Sequence, residues 1–103
     1  MQTENLSDER LAELSQSGDK NATELLLKRY KNVVLSVARR FFLSGGETED
    51  LVQEGMCGLY SAIGGYSEGK SGFSSYATRC IRNRIIDAVK ATSGAKHSAL
   101  NNF

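Results

Sequence analysis

The sequence predicts an all-α fold, a compact domain of about four helices. Three observations carry that reading. There is no proline in 103 residues, so glycine is the one strong helix breaker. Apolar residues recur at three- and four-residue spacing in four separate stretches. No stretch alternates apolar and polar side chains as a half-buried strand would. The length fits one domain with a modest core.

The first helix is expected after Ser7, which can cap it, with Asp8 and Glu9 in its first turn and Leu11 and Leu14 on one face. Gly18 stops it. Asn21-Ala22-Thr23-Glu24 has the form of a capping box and opens the second helix. Leu26, Tyr30, Val33, Val37 and Phe41 form its apolar stripe, widened by Val34 and Ala38. That helix should reach about Phe42 and end at Ser44-Gly45-Gly46. Thr48 can cap the third, with Leu51, Val52, Gly55, Leu59, Ala62 and Ile63 on its buried side. Gly55 and Gly58 each disfavour a helix by roughly 1 kcal/mol relative to alanine, so a neighbouring helix should approach closely there. Residues 67–72 form a flexible loop. The fourth helix should run from near Ser74 to about Thr92, burying Phe73, Ala77, Cys80, Ile81, Ile85, Ala88 and Val89. Residues 95–103 read as a linker or frayed end.

Composition excludes several classes. No run of eighteen apolar residues exists, so no membrane span is expected, and the polar N-terminus carries no signal-peptide pattern. The expected location is cytoplasmic, with no membrane partner. Cys57 and Cys80 lie 23 apart with one distant histidine, His97, which makes no zinc set; two reduced thiols are the plain reading. No metal, cofactor or catalytic constellation is visible, so an enzyme is not expected. The net charge of +1 hides an asymmetry. Residues 70–103 hold six basic side chains against Asp87 alone, a net +5, and residues 1–69 carry a net −4. The basic part suits a polyanion such as nucleic acid, and the acidic part a basic protein surface.

The most informative stretch is Asp50-Leu51-Val52-Gln53-Glu54-Gly55-Met56-Cys57-Gly58-Leu59, followed after a loop by Phe73-Ser74-Ser75-Tyr76-Ala77-Thr78. Here the sequence resembles region 2 of the sigma-70 family of sigma factors. The signatures of that region are a D-L-x-Q-E-G-x-x-G-L helix and then an F-S-x-Y-A-x-x-x-I-R helix. The resemblance runs from about Leu6 to His97. Cys80 and the Lys96-His97 ending resemble the sporulation and stationary-phase sigma-H branch.

The resemblance implies residues 1–93 as a region 2 helical domain and 94–103 as the start of an interdomain linker. The helix-turn-helix domain that reads the −35 element is absent from this chain, which is then expected to be an excised N-terminal part or a truncated product. It implies a factor that binds RNA polymerase core at the β′ clamp helices, and that recognises and melts the promoter −10 element on the non-template strand. An anti-sigma protein is a further candidate partner. The polymerase-binding candidates are Asp50, Gln53, Glu54, Met56 and Tyr60: carboxylates and an amide to pair with arginines, and two apolar contacts.

The DNA-binding candidates are Tyr66, Lys70, Tyr76, Arg79, Arg82, Asn83, Ile86 and Lys90. Arginine and asparagine suit base edges and lysine suits phosphates. A ring can replace the stacking that an opened base loses. Phe73 is read as core and Tyr76 as the stacking ring. Arg39 and Arg40 either touch phosphates or offset the negative end of the second helix. Housekeeping members carry a tryptophan pair where this chain has Arg79 and Cys80, which implies weaker melting, stricter promoter choice and an alternative sigma factor. The competing reading is a sigma-like interaction module that binds polymerase with little DNA activity.

Overall fold

A computed structural model describes residues 5–41, 48–69 and 71–101, with side chains described for all of these except 48 and 92–101. Among the described residues the fold is all-α, with four helices: α1 (Asp8–Gln16), α2 (Lys20–Arg40), α3 (Thr48–Gly65) and α4 (Phe73–Asn101). The expected third-helix cap and the Ser44-Gly45-Gly46 stop adjoin or fall in residues 42–47, outside the described residues.

Ser7 caps α1 as expected, its Oγ accepting from the Arg10 amide at 3.1 Å. The α2 cap differs from the sequence reading. Asp19, not Asn21, holds the cap, and its carboxylate accepts from the amides of Asn21 and Ala22 at 3.0 and 3.2 Å. An ionised carboxylate two residues upstream meets the positive helix end more strongly than an amide would. Gly18, at φ +106°, supplies the left-handed turn that lets α2 begin so soon after α1. At its far end α4 continues past Thr92 and through Gly94. One glycine in a run of helix formers weakens a helix without ending it.

The core is one cluster. Leu11 and Ala12 of α1 meet Leu26, Tyr30, Val34, Val37 and Ala38 of α2. Leu51, Leu59, Ala62 and Ile63 of α3, with Phe73, Ala77, Ile81 and Ile85 of α4, Ala22 of α2 and Tyr66 just beyond α3, complete it. Val33, Phe41, Cys80, Ala88 and Val89 sit at its margin, so the α2 stripe is centred on Val34 rather than Val33. Phe73 is fully buried, with its ring edge-on to Tyr30 at 5.3 Å and to Tyr66 at 5.4 Å. That edge-to-face geometry adds attraction beyond area burial.

The most extensive packing is between α3 and α4, and two glycines permit it. A Cβ on Gly58 would stand 2.8 Å from the Cys80 carbonyl oxygen and 3.2 Å from the Ile81 Cα. A Cβ on Gly55 would meet Val34 Cγ1 at 2.7 Å and Ile85 Cδ1 at 3.0 Å. The close approach expected at both positions is therefore present, with backbone against backbone at Gly58.

Polar contacts fasten α1 to α2. Asp8 accepts from Arg29 Nη1 at 2.8 Å and from the Tyr30 hydroxyl, and Arg29 also donates to the Leu6 carbonyl at 2.9 Å. Burial first, then Asp8, pushes the Tyr30 hydroxyl up to about 12 from the usual 10.

Two outcomes follow. Gly58→Ala should destabilise by about 1–3 kcal/mol, because a backbone carbonyl cannot rotate aside as a side chain can. Gly64→Ala, whose Cβ meets nothing within 4 Å, should stabilise by about 0.5–1 kcal/mol. Thermal melts of the two variants check the contrast. The raised Tyr30 pKa favours the protonated folded form, so its contribution is whole below pH 10 and declines as pH rises towards about 12. Tyr30→Phe should reduce that alkaline loss of stability in a melting series across the same window.

Candidate docking and nucleic-acid interfaces

Burying one side of α3 leaves the other outward. Asp50, Gln53, Cys57 and Tyr60, at i, i+3, i+7 and i+10, form one exposed stripe. Tyr60 is 63% exposed, the large hydrophobic that stands out among the described residues. Beside it, a shallow apolar depression is lined by Leu27 of α2, Met56, Cys57, Ser61 and Arg84. Met56 is only partly exposed and packs against the core edge. Glu54 lies on the opposite border of the stripe, where its Oε1 accepts from Arg84 Nε of α4 at 2.9 Å. That hydrogen bond, and then the charge of Glu54, raises the Arg84 guanidinium further above its ordinary value. The five residues expected to bind polymerase therefore divide. Asp50, Gln53 and Tyr60 face outward, Met56 supports the depression, and Glu54 is shared with α4. Arg84 has no place in the sequence reading, since its partner is 30 residues away.

The outer side of α4 has the same spacing. Tyr76, Arg79, Asn83 and Ile86 occur at i, i+3, i+7 and i+10, and Lys90 extends the row one turn further. Arg79, Asn83 and Lys90 are exposed, and Ile86 is partly so. Arg82, also exposed, joins Ser74, Ser75, Thr78, Arg79 and Asn83 around a polar groove at the start of α4. Two guanidiniums, an amide and three hydroxyls at a helix N-terminus can donate to phosphate oxygens and base edges together. The three hydroxyls escaped the sequence reading, because serine and threonine at a helix start read first as caps. Lys70 lies outside the described residues. Arg39 and Arg40 are exposed in the last turn of α2, where both offset its negative end.

The two tyrosines expected at this surface differ. Tyr76 is half-buried, with its ring 5.7 Å from that of Tyr66 and its hydroxyl 3.2 Å from where a Gly65 Cβ would stand. The neighbouring Cys80 thiol, then burial, pushes its hydroxyl pKa up, while Arg79 acts in the opposite direction. Tyr66 is 8% exposed and donates its hydroxyl to the Ser71 carbonyl at 2.9 Å. It packs edge-on to Phe73 and exposes far less of its ring than Tyr76. Here the Tyr66 ring braces the α3–α4 connection from the edge of the core.

Among the described residues no helix is long and apolar enough to cross a membrane, and no group of three His, Cys, Asp or Glu could hold a metal ion. His97 and Lys96 lie where α4 has no described side chains.

A family model described as Sigma-70 region 2 matches residues 26–94. The chain is also similar to the RNA polymerase sigma-H factor of Bacillus licheniformis. The two are 41% identical over 99 residues, which cover 95% of this chain and 44% of that protein. The RNA polymerase sigma-H factor of Bacillus subtilis is likewise 41% identical over 99 residues, covering 95% of this chain and 45% of its own length. The RNA polymerase sigma-28 factor of Bacillus thuringiensis is 40% identical over 91 residues, 86% of this chain and 38% of that protein. The chain thus spans less than half the length of these curated relatives. Sigma factors are regulatory subunits and not enzymes themselves, so the relationship assigns no catalytic site. An all-α fold, the paired helix motifs and these matches agree: the chain belongs to the sigma-70 family, carries its region 2, and stands near the sigma-H factors.

Proposed function

We propose that this chain is the part of an alternative sigma factor that binds RNA polymerase core through the outer stripe of α3, on the β′ clamp helices, and engages promoter −10 DNA with the first five turns of α4. The observation that carries the reading is the separation of the two surfaces. The α3 stripe joins acid, amide and an exposed ring. The α4 row offers Arg79, Arg82, Asn83 and Lys90, with Asp87 as its one acid between residues 73 and 91. An acidic, partly aromatic stripe suits a basic helical partner. A cationic row beginning at a half-exposed ring suits a phosphate backbone with an unstacked base.

In this reading Gln53 and Asp50 hydrogen-bond and pair with partner side chains, while Tyr60 covers the depression beside Leu27 and Met56. Arg82 and Lys90 neutralise phosphates, Arg79 and Asn83 approach base edges, and Tyr76 stacks on a base that has left the duplex. Arg79 and Cys80 bring no ring, so Tyr76 is the aromatic left to replace lost stacking. Single-stranded or mismatched −10 DNA should therefore be preferred to duplex, where the base must first be extracted. Residues 94–103 lead towards further parts of the factor, and an anti-sigma protein would compete for the α3 stripe.

Two measurements test this. Gln53→Ala and Tyr60→Ala should each weaken binding to core polymerase by about tenfold with helix content unchanged. Core binding at the parent affinity by both would remove the docking assignment. On labelled single-stranded −10 DNA, Tyr76→Ala should lose about tenfold or more, and Tyr76→Phe should stay near the parent. Arg82→Ala and Lys90→Ala should each reduce the salt slope by about one unit. If Tyr76→Ala, Arg82→Ala and Lys90→Ala all match the parent on DNA, the chain is a polymerase-binding module without a DNA role.

A further inference from the structure

The family match begins at residue 26, so α1 lies outside it, yet α1 reaches both ends of the α3–α4 connection. Gln16, at the end of α1, donates through Nε2 to the Ile63 carbonyl at 2.8 Å and to the Tyr66 carbonyl at 2.9 Å. Those carbonyls belong to the last turn of α3 and the residue just beyond it, where no further helical amide follows to pair with them. Glu9, in the first turn of α1, accepts through Oε2 from the Phe73 amide at 2.8 Å. Phe73 opens α4, so its amide is an orphan of the helix N-terminus, and the carboxylate also meets the positive end of the helix dipole. One short helix thus caps the C-terminus of α3 and the N-terminus of α4 with side chains two turns apart.

What lies between those caps is the seat of Tyr76. Its amide bonds to the Gly72 carbonyl at 3.2 Å, one turn after the amide that Glu9 holds. Its ring rests against Gly65 and Tyr66, the residues whose helix end Gln16 holds. A Cβ on Gly72 would stand 3.4 Å from Glu9 Oε2, so the carboxylate fits closely against the chain before α4. Tyr66 adds an internal brace through Ser71. Moving either cap changes the angle at which α3 ends or α4 begins, and the Tyr76 ring sits where the two meet.

We infer that Glu9 and Gln16 are positioning residues for DNA engagement: from α1 they fix the α3–α4 connection and thereby the stance of Tyr76. The inference rests on the proposed role of Tyr76 as a stacking ring. It assigns α1 a task at the nucleic-acid surface although neither residue belongs to the basic row. Of the outer stripe of α3, Tyr60 alone borders Gln16 and Ile63, while Asp50, Gln53 and Cys57 lie further towards the start of the helix, so polymerase docking should change little with these contacts.

The hydrogen-bond polarity gives the test its sharpness. Glu9 acts as an acceptor, so Glu9→Gln keeps an acceptor oxygen in place and Glu9→Ala does not. Gln16 acts as a donor to two carbonyls, so Gln16→Glu, nearly the same shape, has no donor and sets an anion against them. The experiment measures the intact chain by fluorescence anisotropy on a labelled, A/T-rich single-stranded −10 oligonucleotide. Binding to core polymerase is measured in parallel, below the melting temperature of every variant. Glu9→Ala, Gln16→Ala and Gln16→Glu should lose about five- to tenfold on the oligonucleotide, with Glu9→Gln within about twofold of the parent and polymerase binding within about twofold for all four. Equal losses on oligonucleotide and polymerase would overturn the inference, since α1 would then merely support the fold. So would parent-like oligonucleotide binding by Glu9→Ala and Gln16→Glu. Tyr76→Ala, run alongside, separates the two levels. If it loses affinity while the α1 variants do not, the positioning role alone fails; if it is silent, the stacking role fails and the positioning role with it.

Discussion

Everything outward-facing depends on the crossing of α3 and α4 at Gly58. With no side chain there, the Cys80 carbonyl and the Ile81 Cα come within 3.2 Å of where a Cβ would be. Two helices this close turn most of their apolar residues towards each other and towards α2, leaving one narrow stripe on each for solvent. The stripes have the same spacing because they solve the same problem: a residue at i leaves i+3, i+7 and i+10 on its side of the helix. Any larger residue at Gly58 would wedge the backbones apart and rotate both stripes at once. The glycine pair therefore does more than save space, since it fixes the relation between an acidic stripe and a basic row on adjacent helices.

The second constraint is polar and comes from α1. A nine-residue helix is too short to be stable by its own hydrogen bonds. It is held by Leu11 and Ala12 in the core, by Asp8 to Arg29 and Tyr30, and by Glu9 and Gln16 to the α3–α4 connection. Each of these polar contacts satisfies a group that would otherwise be left at a helix end or beside the core. Charge-assisted bonds such as that of Glu9 are about twice as strong as neutral ones. The same bonds that retain α1 thus order its neighbours, and the dependence runs both ways.

Much of this was legible in the sequence, for reasons that differ by element. The four helices and most of the core followed from periodicity, which is a local property. The close approach at Gly55 and Gly58 followed from the disadvantage of glycine inside a helix, which needed a compensating contact. Asn21 fits the capping-box pattern, yet Asp19 caps α2, because the tight turn at Gly18 starts the helix two residues earlier. The α4 helix outruns the expected end near Thr92 because Gly94 weakens a helix without breaking it. Tyr66 shows the limit for aromatics: a pattern places a ring near a surface, but only packing against Phe73 and the bond to Ser71 reveal which way it faces. The tertiary contacts of Glu9, Gln16 and Arg84 are not legible in the sequence. Their partners lie 64, 47 or 50, and 30 residues away, and no local pattern encodes such pairs.

The Glu54–Arg84 pair joins the two surfaces, and its energetics limit what it can do. Both side chains are more than two-fifths exposed, so water and salt screen the attraction and the pair adds little to stability. Its position matters more than its strength. Arg84 Cβ is 3.1 Å from where a Gly58 Cβ would stand, at the crossing itself, while its guanidinium reaches out to the border of the α3 stripe. Glu54 is thereby drawn towards α4 and away from Gln53 and Tyr60, which leaves the stripe less acidic than the sequence alone suggests. A basic partner approaching the stripe must share Glu54 with Arg84 or draw it away, and either event changes the charge on the α4 side of the crossing. Because the pair is weak, a partner can redirect that carboxylate without disturbing the glycine-to-backbone contact beneath it.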